Sequence, residues 1–423
     1  MEQLLNSEEC RLIALRTLQL KEDDDNLVLL HWQLIAGSKD LMGYMGEYYK
    51  LHLQVEHSEI EVEKNLQYFV KSLPYKNAPQ RAECERKGVF RKEATIYEKI
   101  LPNVQRYASR KLYPKCYYSR NDIMVLEDLA QHYRHLKPTE SYTLKHYELA
   151  LEHLAALHAA SIAWEQQEQF NIGERYENVL IELFLSMQNE WFITGLKGIV
   201  FLAGRHPKYQ TDIAQKFIKE KLYQLLTKSE ELVKPSRTIR NVLCHRDTWD
   251  RNIFFGFANP TDSLPNSCCI VDFQLTKYCS PLLDVLFLLY IIPSPSRRRD
   301  IYEHCIDHYY LCLQSEFRQL GLSPCLISGN NFMEECERSR LVALIMWALT
   351  EPQTKVSAEI TNRMRTEEPE KFDYYLNCDR SEFYLRVMEL QPGYEEKIMV
   401  PIEELVDYLM EHESLYTQKK YIK

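Results

Sequence analysis

His245, Asp247 and Asn252 stand as His-x-Asp-x-x-x-x-Asn within Val242-Leu-Cys-His-Arg-Asp-Thr-Trp-Asp-Arg-Asn-Ile-Phe-Phe255, and Asp272 closes a further apolar run, Ile270-Val-Asp-Phe-Gln274. These residue types at this spacing suit phosphoryl transfer. Moving the γ-phosphoryl of ATP onto a hydroxyl calls for a carboxylate beside the acceptor proton and a divalent metal held against the triphosphate by oxygen ligands. Asp247 is the candidate base. Asn252 lies where the loop returns to the site, and Asp272 ends the adjoining strand, so the two are candidate Mg²⁺ ligands, hard cations preferring oxygen donors. His245 reads as a brace for the loop rather than a ligand.

The elements that must position these groups follow from the flanking pattern. Residues 258–267 are rich in turn formers, so Asn252–Phe257 and Cys268–Val271 are expected to form a hairpin carrying both ligands. Upstream, Leu27–Ile35 and Tyr48–Val55 read as strands joined by a loop with Gly37, Gly43 and Gly46. Such a loop can cover phosphates with backbone N–H groups, with Gly43 and Gly46 as the candidate contacts. Its glycine spacing fits no strict motif, and an ordinary hairpin loop fits it as well.

A third strand, Asn65–Leu73, carries Lys71, and a helical pattern over Glu83–Leu101 places Phe90, Ala94, Tyr97 and Leu101 on one apolar stripe. Glu93 falls inside that stripe, and a buried carboxylate needs a cation. Pairing with Glu93 would aim the Lys71 ammonium at the α- and β-phosphates. Asp122–Leu129 reads as an edge strand between two lobes, with the hinge at Glu127 to Ala130 and Leu129 against adenine. Beyond it the chain turns helical. Leu144, Tyr147, Leu151, Leu154 and His158 form one stripe, in which His158 reads as a core histidine.

Composition sets the bounds. With 423 residues, 45% hydrophobic, the chain is expected to form two lobes: residues 1–128 with a leading helix behind Ser7 for the nucleotide, and residues 129–423 for catalysis and the acceptor. A net charge of −9 argues against a nucleic-acid partner. The arginines Arg297–Arg299 read as a solvated face. Twelve cysteines without a C-x-x-C pair suit buried thiols in a reducing compartment. The amino terminus lacks a signal-peptide pattern, and the longest apolar run, Leu282–Ile292, is too short to span a bilayer and contains Asp284. A cytoplasmic protein is the resulting expectation.

Taken together, His245-Arg-Asp-Thr-Trp-Asp-Arg-Asn252, Val271-Asp-Phe-Gln274, Phe69-Val-Lys71, Phe90-Arg-Lys-Glu93, Leu126-Glu-Asp-Leu129, Leu157-His-Ala-Ala-Ser161 and Ser280-Pro281 with Asp284 make the chain similar to a known family. It resembles the insect ecdysteroid kinase-like, or CHK kinase-like, family within the choline kinase and aminoglycoside phosphotransferase superfamily, over about residues 30–320. The resemblance implies an α+β, bilobal protein-kinase-like fold and ATP- and Mg²⁺-dependent phosphorylation of a small-molecule hydroxyl, ecdysteroid-like or xenobiotic. It also implies Asp247 as base, Asn252 and Asp272 as metal ligands, and Lys71 with Glu93 as the phosphate-positioning pair. Arg246 and Arg251 depart from the family pattern and are expected to add charge beside the acceptor. A protein kinase would need a longer segment than the eleven residues between Asp272 and Asp284. The remaining alternative is a noncatalytic protein of the same fold that sequesters a small ligand.

Overall fold

The computed structural model describes residues 4–37, 45–59, 62–137, 139–259 and 262–417. Helix α1 (Ser7–Leu18) opens the described chain, and its cap is Asn6 rather than Ser7. The Asn6 side chain accepts the Glu9 N–H while the Glu9 carboxylate accepts that of Asn6, which satisfies two otherwise orphan donors. Strands β1 (Leu27–Ala36), β2 (Glu47–His57) and β3 (Val62–Ser72) form an antiparallel meander, with β4 (Cys116–Ser119) and β5 (Ile123–Glu127) beyond it in the order β1-β2-β3-β5-β4. Alternate residues of these strands, such as Leu51, Leu53 and Val55, pack under α1. β5 is therefore interior, not the expected edge, because β4 pairs on its outer side.

The single helix expected over Glu83–Leu101 is broken. α2 (Ala78–Lys87) ends at Gly88, which takes a left-handed φ of 65° that glycine adopts without a Cβ penalty, and α3 (Val89–Thr95) restarts from it. A π-helical turn over Ile96–Ile100 and α4 (Leu101–Gln105) continue the path. The stripe of Phe90, Ala94, Tyr97 and Leu101 is buried as its spacing predicts.

The larger C-terminal part is mainly helical, so the α+β architecture is as expected. α5 (Leu144–Glu168) is a buried central helix whose small residues Ala156 and Ala160 pack with Phe90, Tyr97, Leu243 and Phe273 in one core. That core takes side chains from both parts of the chain and so joins the sheet to the catalytic segment. β6 (Tyr133–Arg134), β8 (Ile253–Gly256) and β9 (Ser267–Ile270) form a three-stranded sheet, while β7 (Val242–Cys244) pairs with β10 (Lys277–Cys279). The hairpin expected from the turn-rich segment is β8–β9.

Helices Leu282–Ile291, Pro295–Gln319, Gly329–Thr354 and Tyr394–Thr417 complete the core, the second stopped near Gly321 at φ 68°. The solvated arginine face forms only in part: Arg299 is exposed and Arg297 half-buried, but Arg298 turns inward. Arg298 is buried, ion-paired with Glu404 and stacked on Tyr290 and Trp347, because its helix turns that position inward. Among the described residues no helix is long and apolar enough to cross a membrane.

Candidate active site

The candidate catalytic loop runs from β7 to β8 and is fixed by hydrogen bonds of its own. The Asp284 carboxylate, at the start of its apolar helix, accepts the backbone N–H groups of His245 and Arg246 at 2.6 Å each. It also lies 3.2 Å from His158 Nε2, whose Nδ1 meets the Tyr309 hydroxyl at 2.8 Å, so the core histidine is satisfied on both nitrogens. His245 braces the loop as its position suggests. Its Nδ1 accepts the Asp247 N–H at 3.1 Å, which leaves Nε2–H to donate to the Val271 carbonyl at 2.8 Å.

Asp247 and Asn252 meet across this loop. Asn252 Nδ2 donates to Asp247 Oδ2 and to the Asp247 carbonyl, both at 2.9 Å, so both amide hydrogens are committed and Oδ1 is left as an acceptor. Burial, then the charge of Asp272, pushes the Asp247 carboxyl up to about 8. Asp272 follows β9 with φ 67°, and Arg246 has φ 72°. Among the described residues the other non-glycine positions with positive φ, Gln19 and Gln169, end helices, so the two that do not both sit at the candidate site. Left-handed backbone at such side chains costs of order 1 kcal/mol and persists where surrounding contacts hold it.

Lys71 reaches the same point from β3. Its Nζ donates to Glu93 Oε2 at 2.7 Å and to Asp272 Oδ1 at 2.9 Å, with Gln274 Oε1 at 3.4 Å. Burial pulls the ammonium down, but Asp272 and Glu93 outweigh it and hold Lys71 above its ordinary range. Glu93 is wholly buried on α3, and its Oε1 makes no hydrogen bond. The lysine expected to pair with Glu93 has a second carboxylate partner, because the chain after β9 brings Asp272 over the sheet.

Around this centre lies a cleft of about 1420 Å³. That exceeds the roughly 300–1,000 Å³ of a site for one drug-sized ligand. The N-terminal sheet contributes Tyr48, Phe69 and Leu126 to its lining, and the C-terminal part contributes Leu129, Val271, Trp191, Trp249, Phe287, Ile291, Met346 and Phe372. Leu129 and Glu127 both line it. The Glu127 carboxylate is drawn to Lys111, and its N–H donates to the Lys115 carbonyl at 2.8 Å. Gly46 immediately precedes β2 and lies beside Lys71: a Cβ there would meet the Ser72 carbonyl at 3.0 Å and Lys71 Cγ at 3.5 Å. Gly43 lies outside the described residues.

One reading changes. Arg251 lines the cleft, but Arg246 is buried toward Glu182, since its left-handed backbone turns the side chain away from Asp247. In the sequence Asp284 stands as an acid interrupting an apolar run and as part of the motif with Ser280-Pro281, with no role attached to it. That interruption was the available signal, because a carboxylate among leucines must find donors.

A sheet facing a helical part across a cleft, with a Lys–Glu pair, a His-Arg-Asp loop and a second aspartate, is the architecture of a kinase-like phosphotransferase. The chain belongs to the ecdysteroid kinase-like family, which matches residues 41–322. No curated protein sequence matches it. Among solved structures it is similar to a gentamicin complex of APH(2")-IIa, at 13% identity and TM-score 0.38 over 87% of this chain and 93% of that one. It is also similar to the ADP-bound aminoglycoside phosphotransferase APH(2'')-Ib, at 14% identity and TM-score 0.37 over 93% and 99%. Choline kinase LicA from Streptococcus pneumoniae follows at 13% identity and TM-score 0.36 over 86% and 94%.

Proposed function

We propose that this protein transfers the γ-phosphoryl group of ATP to a hydroxyl of a small lipophilic molecule, ecdysteroid-like or xenobiotic. The observation that carries the reading is the convergence of Lys71, Glu93, Asp247, Asn252 and Asp272, from four separate segments, on one cleft with room for two substrates. Residues 1–128 serve as the nucleotide lobe and residues 129–423 as the lobe of the catalytic loop and acceptor. The twelve free thiols suit a cytoplasmic setting.

The donor set fits magnesium. Asp272 offers a carboxylate and Asn252 an uncommitted amide oxygen, both hard ligands, and the acids Asp247, Asp272 and Glu93 crowd about the single ammonium of Lys71. Bound there, Mg²⁺ would neutralise charge on the triphosphate. Lys71, held by Glu93, directs its ammonium to the α- and β-phosphates. Leu129 packs on adenine where the chain leaves β5, and the Gly46 segment covers the phosphates. Asp247, oriented by Asn252, accepts the proton of the acceptor hydroxyl. Trp249, Phe287, Ile291 and Met346 give the acceptor end an apolar wall that suits a lipophilic alcohol.

The test is ADP release by purified protein with Mg-ATP against a panel of steroids, phenols, glycosides and amino alcohols, with Asp272→Asn as control. Release that requires one acceptor class and Asp272 is the expected result. No turnover with any acceptor, together with no ATP binding, would shift the reading to a protein that sequesters its ligand.

A further inference from the structure

Behind the cleft, cations from three catalytic elements gather around one short stretch of chain. Lys92 precedes Glu93 on α3, Arg246 precedes Asp247 in the catalytic loop, and Lys277 opens β10, five residues past Asp272. All three are buried, and none of them lines the cleft. The stretch they meet is the connection between the short helix Ile172–Arg175 and the helix Glu190–Arg205.

Glu182 is the only carboxylate that the described ion pairs bring to this group. Its Oε2 lies 3.1 Å from Lys277 Nζ and 3.9 Å from Arg246 Nη2. Its Oε1 accepts the backbone N–H groups of Phe184 and Leu185 at 3.1 Å each, which fixes the carboxylate on its own loop. Lys92 Nζ donates to the carbonyl of Ile181, the preceding residue, at 2.8 Å. Burial pulls the Lys92 ammonium down to about 7, with Glu182 opposing and Lys277 and Arg246 adding to the pull. Positive charge is thus in excess, and the single carboxylate keeps the three cations together. Removing one partner of a buried ion group leaves uncompensated charge that the remaining groups relieve only by moving apart.

We propose that Glu182 is a positioning residue for phosphoryl transfer, tying α3, the catalytic loop and β10 into one register so that Glu93, Asp247 and Asp272 face the same cleft. It touches neither nucleotide nor acceptor. It acts through Arg246, one residue from the base, through Lys277, and through the carbonyl next to it that holds Lys92. The unusual left-handed conformation of Arg246 has a purpose in this arrangement, since it sends the guanidinium backward while Asp247 faces forward.

The inference rests on the phosphotransferase reading, so its test has two arms. In the first, turnover of Glu182→Gln and Glu182→Asp is compared with wild type on an acceptor found by the panel. Glu182→Gln is expected to lower kcat about tenfold or more with the KM for ATP within about threefold, as for displaced but intact catalytic groups, and Glu182→Asp to recover part of the loss. In the second, hydrogen–deuterium exchange over residues 242–252 is expected to quicken in Glu182→Gln.

A Glu182→Gln protein that melts earlier yet keeps wild-type kcat and loop exchange would overturn the proposal, since a merely structural carboxylate behaves that way. Should Glu182→Gln fail to fold, Lys277→Met cuts the tie from Glu182 to β10 while Arg246 still balances the carboxylate. The same fall in kcat and quickened loop exchange are expected there, and unchanged values would overturn the proposal. If wild type turns over no acceptor, the phosphotransferase reading fails, while the exchange comparison still decides whether Glu182 holds the loop.

Discussion

Lys71 Nζ lies 2.9 Å from Asp272 Oδ1, so an ammonium on the N-terminal sheet pairs directly with a carboxylate carried by the C-terminal part. The same ammonium holds Glu93, and both members of that pair are almost wholly buried, at 4% and 1% side-chain exposure. Lys71→Met is expected to abolish ADP release and, because one partner of a buried pair is lost, to cost about 3–5 kcal/mol in stability. Lys71→Met combined with Glu93→Met should recover much of that stability without activity. Denaturant unfolding alongside the turnover assay separates the two effects.

Asp284 supplies the acceptor for two backbone donors of the catalytic loop. Asp284→Ala leaves the N–H groups of His245 and Arg246 buried without a partner, at about 1–3 kcal/mol each. The expected outcome is a lower denaturation midpoint together with loss of turnover. Asp284→Asn should do nearly as badly, since its amide NH₂ would face one of the two donors. A midpoint unchanged in both variants would show that the loop does not depend on this carboxylate.

The Asp247 carboxyl binds its proton more tightly in the folded protein than in the unfolded chain, with about 8 against an ordinary 3.8. The unfolded state therefore releases a proton that the folded state keeps, and stability from this group declines as pH rises from about 4 to about 8. Asp247→Asn should remove that decline, making the inactive variant the more stable protein at pH 8 and equal to wild type near pH 4. Melting curves across this range, without divalent cation, test the sign. Adding Mg-ATP to wild type should narrow the difference by drawing the carboxyl back down.

Gly46 leaves room for the Lys71 side chain, which a Cβ at that position would crowd. Gly46→Val sets a branched side chain against the Ser72 carbonyl and the Lys71 stem, where even a Cβ would be at 3.0 Å and 3.5 Å. The KM for ATP is expected to rise about tenfold or more, with thermal stability lowered far less than by Lys71→Met. Calorimetric titration with nucleotide checks this directly.

Much of the site could be read from local sequence. Lys71, Glu93, Asp247, Asn252 and Asp272 were each singled out by an argument about neighbours: an acid inside an apolar stripe, a lysine closing a strand, polar residues at fixed spacing between strands. Periodicity also anticipated the buried faces of α3 and α5 and the β8–β9 hairpin. Readings failed where the deciding partner was far along the chain. β5 looked like an edge because the pairing of β4 on its outer side is a tertiary event. Arg298 looked solvated because Glu404 and Trp347, its partners, come from distant helices.

The sequence by itself determined the family, the apolar patterns that form the sheet and helices, and the residue types able to bind a cation and accept a proton, because these depend on spacing within a few turns or strands. Tertiary structure alone decided that Asp272 shares the Lys71 ammonium, that Asp284 caps the catalytic loop from a helix beyond it, and that Arg246 faces Glu182 rather than the acceptor. Charge satisfaction in a low-dielectric interior depends on which groups meet in space, and separations of 201 residues between Lys71 and Asp272 or 39 between His245 and Asp284 leave no periodic trace in the chain.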